Sequence, residues 1–133
     1  MKKLTILIAM LMASSAWAEK KGVECINYVD DRPTWYLFDF KLPRVYTYLW
    51  NGSNNVTWAT PSFNDFEIKW TGPIHSWETI KLDRDDLELW YRNTRDDPSA
   101  IFIKTSICTA HSESVLESRR LNYSRQLSRK NKI

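Results

Sequence analysis

The chain has 133 residues, of which 43% are hydrophobic and 26% charged, and its formal net charge is +3 at pH 7. This length suits one small domain, and the sequence holds neither a fixed-period repeat nor a low-complexity tract. The charge is unevenly spread, because residues 19–108 carry 11 basic against 14 acidic residues, or −3, whereas residues 109–133 carry 6 against 2, or +4. The sequence therefore divides into a mildly acidic main part and a basic tail.

Residues 1–18 have the composition of a secretory signal peptide. Two lysines follow the first methionine, residues 4–12 are apolar, and residues 16–18 read Ala-Trp-Ala, which fits the A-x-A cleavage pattern. The apolar run is about half of the roughly 20 residues that cross a bilayer, and no later segment is apolar enough to do so. We expect a periplasmic or secreted protein that starts at Glu19 and has no transmembrane segment after signal removal.

Cys25 and Cys108 are the two cysteines of the chain. In an oxidising compartment an even pair predicts one disulfide, and the alternative is two buried thiols. The bond would close nearly the whole of residues 19–108, and chain entropy gives a loop of that length roughly 4–5 kcal/mol of stabilisation. Both cysteines are therefore assigned a structural role.

Short apolar runs that end at Pro, Gly, Asn or Asp follow one another through the main part, which is the pattern of strands joined by turns. Asn51-Gly52 is a strong hairpin signal, because this dipeptide tolerates the positive φ that tight hairpin turns require. Residues 66–70 alternate apolar and charged side chains without interruption, which indicates one buried and one solvated face. The predicted strands number about eight and lie at residues 22–28, 35–42, 45–50, 55–60, 66–70, 78–82, 87–91 and 101–108.

This succession of strands, with no competing helical period before Cys108, predicts an all-β fold. Consecutive strands form a small antiparallel meander, and a bond between Cys25 and Cys108 would join its first and last strands. That link favours closure into a barrel of about eight strands, with a two-layer β-sandwich as the alternative. The predicted domain covers residues 19–108. Its core is expected to contain Phe38, Phe40, Ile68, Trp70, Ile80, Leu82, Leu89 and Ile103.

The basic tail, residues 109–133, predicts a helix or a disordered segment. Ser114 with a glutamate three residues on fits a capping box, and Leu116, Tyr123 and Leu127 fall on one helical face. Since these apolar positions are few, we expect the tail to pack little on the barrel. The side chains expected to be exposed on it are Arg119, Arg120, Arg125, Arg129 and Lys130.

Residue types for catalysis or metal binding are sparse. His75 and His111 are the two histidines, and neither has a second ligand at the spacing of a zinc site. No nucleophile elbow, phosphate-binding glycine loop or zinc-protease motif occurs. The paired aspartates fall at predicted turns, where aspartate bonds the local backbone. We therefore expect no enzyme activity, no catalytic residue, no metal site and no cofactor.

Several short motifs together resemble a known group of proteins. They are Phe38-Asp39-Phe40, the tyrosines after Arg44, residues 66–70, residues 80–84 with Leu87 and Leu89, and the closing Cys108. Over residues 25–108 the chain resembles a loose group of small exported bacterial and phage proteins predicted to be all-β. The resemblance implies export, a small β fold and a terminal disulfide, and it brings no active site. Glycine is common after the Asp-Arg turn in that group, where this chain has Asp85 and Asp86.

Six tryptophans follow the signal segment, and they are the most unusual feature of the composition. They either fill the interior or lie outside it, where Trp35, Trp50 and Trp58 could stack on a ligand or partner. The leading functional hypothesis is a non-enzymatic binding module for a small apolar or sugar ligand or an envelope component.

The alternative is an interaction protein that docks on an anionic surface or an acidic partner. It would use the exposed aromatic residues together with Arg119, Arg120 and Arg125. Nucleic acid is disfavoured as a partner, because no recognition motif supports it and an exported protein rarely meets nucleic acid. A ligand-sized interior cavity would favour the first hypothesis, and a packed interior with exposed aromatic residues would favour the second.

Overall fold

The fold consists of β-strands followed by one long helix. The computed structural model describes residues 20–48, 57–72 and 75–130, so that the predicted signal peptide and Trp50 lie outside the described residues. The described elements are β1 (Lys21–Asn27), β2 (Pro33–Asp39), β3 (Arg44–Tyr48), β4 (Thr57–Ala59), β5 (Ser62–Phe63), β6 (Glu67–Thr71), β7 (Glu78–Asp83), β8 (Glu88–Asn93), β9 (Ile103–Ser112) and α1 (Glu113–Lys130).

All nine described strands belong to one antiparallel sheet, in the order β4-β3-β2-β1-β9-β8-β7-β6-β5. The two edge strands, β4 and β5, are separated in the chain by Thr60 and Pro61 alone. The sheet must therefore curl strongly to bring its edges together, and the result is a half-barrel. Within the described segments no strand pairing joins β4 to β5. The predicted all-β fold with a helical tail is confirmed, with nine strands instead of about eight, since Pro61 cannot donate to a ladder and separates two short strands.

The disulfide lies at the centre of the sheet. Cys25 of β1 and Cys108 of β9 are directly paired across the two strands, with their Cα atoms 4.0 Å apart and an S–S bond between them. On the side of β9 that faces away from β1, the Cys108 N–H donates a hydrogen bond to Leu87 O at 2.7 Å. The predicted bond between first and last strands is confirmed, and these strands are neighbours in the ladder.

The inner face of the sheet carries the main core. Tyr36 and Phe38 from β2 meet the Trp70 ring of β6 edge-on, at centroid distances of 5.3 and 5.6 Å. These contacts cross the interior between strands that are far apart in the sheet order. The buried members of this cluster are Val23, Cys25, Tyr36, Phe38, Val45, Ile68, Trp70, Leu82, Leu89 and Cys108. Aromatic and aliphatic side chains therefore fill the described part of the interior.

Most of the predicted core is confirmed. Five of its residues are buried, and Phe40 and Ile80 pack against them while half-buried. The prediction that Ile103 belongs to the core is wrong, because its side chain is 63% exposed. The last pair between β1 and β9 joins Asn27 to Ser106, so Ile103 lies beyond the strand that would cover it. A register shift at Leu89 and Trp90 on the β8 side further displaces this end of β9 from the regular alternation.

The turns use the aspartate chemistry that the sequence predicts. In the predicted turn after β1, Asp30 Oδ1 accepts a hydrogen bond from the Arg32 N–H at 3.0 Å. Asp39, which the sequence places inside the strand 35–42, ends β2 instead, and its Oδ1 accepts hydrogen bonds from the backbone N–H groups two and three residues further on, at 3.0 and 3.2 Å. Asp83 Oδ1 does the same in the turn between β7 and β8, at 2.9 and 3.1 Å. These side chains replace the missing ladder partners of the turn backbone, so the aspartates have a local structural role.

Helix α1 packs on the outer face of the sheet, against β1, β2 and β9. Leu116 is buried in a second cluster with Trp35 and Leu37, and Tyr123 packs against its margin. The expectation that the tail packs little on the sheet is therefore wrong, because one leucine and one tyrosine at helical spacing suffice to cover the outward face of β2. The helix begins one residue before the predicted Ser114, and the hydroxyl of Ser112 accepts the Val115 N–H at 3.4 Å.

Gly22 sets how closely the helix approaches β1. A Cβ atom at this position would lie 2.6 Å from Leu116 Cδ2 and 3.2 Å from Leu116 Cβ and Cγ. We expect Gly22→Ala to lower the free energy of unfolding by about 1–3 kcal/mol through this overpacking. The same substitution in a Leu116→Ala background should cost much less, since the opposing side chain is gone. Urea titration of all four proteins measures the coupling, and an equal loss in both backgrounds would contradict the contact.

Candidate functional site

The surface around α1 contains two cavities, one on each side of the helix. A cavity of about 670 Å³ lies by the helix N-terminus, between Lys20, Tyr48 and Glu117. One of about 370 Å³ lies on the other side, between Glu24, Trp35 and Tyr123. Both are outside the sheet, whereas the described interior is occupied by the core. The two cavities therefore offer room for a partner on the outer face, beside the helix.

Glu24 of β1 fixes the helix to the sheet at the floor of the smaller cavity. Its carboxylate accepts two hydrogen bonds from Arg119, at 2.7 and 2.9 Å, and one from the indole N–H of Trp35, at 2.9 Å. The hydrogen bond from Arg119 holds the pKa of Glu24 below its usual range, although burial opposes that change. Because the carboxylate is satisfied within the chain, these three residues form a structural clamp.

Arg120, predicted to be exposed, is buried at 7% exposure, and that prediction is wrong. Its guanidinium donates to Glu117 at 2.6 Å and lies 4.9 Å from the centre of the Tyr48 ring. The aliphatic stem of an arginine can cover apolar surface while its charged end finds a partner, and helical spacing alone does not reveal this. Arg119 and Arg120 are thus both engaged by their own chain.

The far end of the helix is different. Arg125, Arg129 and Lys130 are exposed, and they form no ion pair with any residue that the structure describes. Arg125 and Arg129 are four residues apart on one face, where like charges are mutually destabilising. We call these three side chains the basic end of α1. Cations are favourable at a helix C-terminus, but the dipole does not neutralise them.

Trp35 and Trp58, the two candidate tryptophans that the structure describes, lie in different surroundings. Trp35 is 1% exposed and lies under the helix, where Tyr123 meets its ring edge-on at 5.6 Å, so the hypothesis that Trp35 stacks on a partner does not fit its position. Trp58 is 49% exposed at the β4 edge, and the Arg44 guanidinium lies 4.1 Å from its ring centre. Trp50 falls outside the described residues.

A second group of cations, on the outer face of β6 to β9, was not among the predicted site residues. Lys81 and Arg92 lie beside the rings of Trp90 and Phe102, and Lys69 and Lys104 are paired in the ladder with Lys81 and Trp90. The alternation of β6 and β7 already places Lys69 and Lys81 on the outward face. The register between strands brings these residues together, and the sequence of a single strand does not specify that register.

The described segments hold no group of three or more His, Cys, Asp or Glu residues that could bind a metal ion. His75 stacks on Trp77 at 4.4 Å, and Nε2 of His111 is buried without a hydrogen-bond partner. Among the helices described, none is long and apolar enough to cross a membrane.

The fold and this surface together define a class: a disulfide-linked all-β half-barrel with a basic helix packed on its outer face. No protein-family model, curated protein or solved structure matches the chain.

Proposed function

We propose that this chain is an exported, non-enzymatic interaction protein that binds anionic membrane surfaces through the basic end of α1. The observation that carries the proposal is the contrast along one helix. Arg119 and Arg120 are held by Glu24 and Glu117, whereas the basic end has no anionic partner in the described chain. The clamp and Leu116 attach the helix to the sheet, so the helix presents these three cations together on the surface of the fold.

Export is part of the proposal and is supported by the composition of residues 1–18 and by the disulfide, which persists in oxidising compartments. The resemblance to small exported β proteins agrees with it and stays a prediction. The hypothesis of a small apolar or sugar ligand within the barrel has less support, since aromatic side chains occupy the described interior.

The test is retention on vesicles. The chain from Glu19 should bind phosphatidylglycerol vesicles at low salt, bind less at physiological salt, and ignore phosphatidylcholine vesicles. Each basic residue near an anionic surface contributes about 1 kcal/mol, so the triple substitution R125Q/R129Q/K130Q should weaken binding roughly 100-fold. Its melting temperature should stay unchanged, because these side chains are exposed.

A matched control removes the same charge elsewhere. The substitutions K21Q/K41Q/R95Q replace three exposed cations on other parts of the surface. This variant should keep most of the vesicle binding. Equal losses in the two variants would mean that net charge alone governs retention, and strong binding by R125Q/R129Q/K130Q would exclude the helix as the binding surface.

A further inference from the structure

A row of side chains crosses the outer face of four neighbouring strands, β6 to β9, beside the part of that face on which α1 packs. Lys69 of β6 is paired directly opposite Lys81 of β7, Lys81 opposite Trp90 of β8, and Trp90 opposite Lys104 of β9. Their strand neighbours Ile68, Trp70, Leu82 and Leu89 are in the core. Since successive side chains of a strand point to opposite faces, the row points outward.

The row brings like charges together. Lys69 and Lys81 stand directly opposite each other in the ladder, an arrangement that destabilises a sheet. Glu67 and Asp83, the acidic residues two positions away on the same strands, are paired opposite each other. Neither acid forms an ion pair with these lysines in the described chain, and Lys104 alone in the row reaches a carboxylate, Glu88 at 3.6 Å.

Aromatic rings contact three of the cations on this face, with Lys81 and Arg92 beside Phe102 and Lys104 5.6 Å from the centre of the Tyr28 ring. Lys81 Nζ lies 4.4 Å from the centre of the Phe102 ring and 5.5 Å from that of Trp90. The Arg92 guanidinium lies 4.5 Å from Phe102, and its Nε is buried without a hydrogen-bond partner. Two cations therefore share one ring, and their charge is attracted by the ring but not neutralised.

We infer that this row, Lys69, Lys81, Trp90 and Lys104 with Arg92 and Phe102 beside it, binds a linear acidic polysaccharide. Charge complementarity is the argument, because one bound carboxylate or sulfate group could lie between Lys69 and Lys81 and relieve their repulsion. Neighbouring strands are about 4.8 Å apart, so Lys81 and Lys104, two strands apart, are separated by about 10 Å. Trp90 lies between them, where an indole ring offers a broad apolar surface to a sugar ring. This spacing of two cations with an aromatic ring between them suits an extended polymer with repeated negative charges.

The experiment is affinity electrophoresis of the full chain from Glu19 in gels containing alginate, heparin, neutral dextran or single-stranded DNA. Alginate and heparin should slow migration, and dextran should not. The triple substitution K69Q/K81Q/R92Q should weaken retention by alginate roughly 100-fold, from three surface ion contacts. Trp90→Ala should weaken it while leaving charge unchanged. Equal retention of the parent and the triple variant would overturn the inference, and stronger retardation by DNA than by either glycan would assign the row to nucleic acid instead.

The helix variant separates this inference from the proposed function. R125Q/R129Q/K130Q removes the same charge as K69Q/K81Q/R92Q, so each serves as the control for the other. We expect the sheet variant to lose alginate binding and keep vesicle binding, and the helix variant to do the reverse. Loss of alginate binding in both variants to the same extent would show a general charge effect and would reject the row as a site.

One further variant distinguishes a binding site from a structural arrangement. Lys69→Glu places opposite charges across β6 and β7, and it should raise the melting temperature by about 2–4 °C. The same substitution should abolish alginate binding. A stabilised protein that no longer binds shows that the lysine pair is kept at a cost in stability for its ligand. A stabilised protein that still binds alginate as the parent does would contradict the inference.

Discussion

Removing the disulfide should cost this fold more stability than any other single change. The double substitution Cys25→Ser with Cys108→Ser should lower the free energy of unfolding by roughly 4 kcal/mol in the chain-entropy account. The two cysteines are 83 positions apart in the chain, yet they are neighbours at the centre of the sheet. Without the bond, β1 can pair with β9 only if that long loop closes during folding, and the entropy lost on closure opposes the pairing.

Urea unfolding of the chain from Glu19 measures this loss. Thiol titration of the denatured, unreduced parent should first find no free thiol. Reduction of the parent should then reproduce the midpoint of the double variant, which controls for the introduced serines. An unchanged urea midpoint after both treatments would show that the strand ladder alone holds β1 against β9.

The second large effect is expected at Ile68. Its side chain is 3% exposed, lies on the inner face of β6 and is paired with Leu82 and Phe63 on the adjacent strands. Ile68→Ala should cost about 2–5 kcal/mol, because the rigid surroundings cannot close the cavity that it leaves.

Ile103→Ala is the matched control for this cavity. It removes the same atoms from a side chain that is 63% exposed, so its effect should stay within about 0.5 kcal/mol. Urea titrations of the two variants can be compared directly when the unfolding free energy has the same dependence on urea concentration in both. A loss below half a kcal/mol at Ile68, or equal losses at both positions, would mean that the inner face of β6 has been assigned wrongly.

The clamp at Glu24 illustrates why site residues are harder to predict than strands. Alternation in β1 places Glu24 on the outward face, since Val23 and Cys25 are in the core. No local pattern connects it to Arg119, which lies 95 positions further along the chain. The same holds for Arg120, whose burial depends on Tyr48 and Glu117 being close at once. A helical pattern identifies a basic helix, but it does not tell which cations are neutralised within the fold.

The sequence by itself determined eight of the nine described strands, the aspartates of the predicted turns, the disulfide and the helical spacing that puts Leu116 and Tyr123 on one face of the tail. These features depend on period, on local hydrogen bonding or on cysteine number, and all three can be recognised over short stretches of chain. Tertiary structure decided which face of β2 receives the helix, so that Trp35 is buried on the outside of the sheet. It also decided that Ile103 lies uncovered beyond the end of β1, and that Lys69 stands opposite Lys81. Each of these outcomes depends on the register between strands and on the packing of distant segments, which local periodicity does not encode.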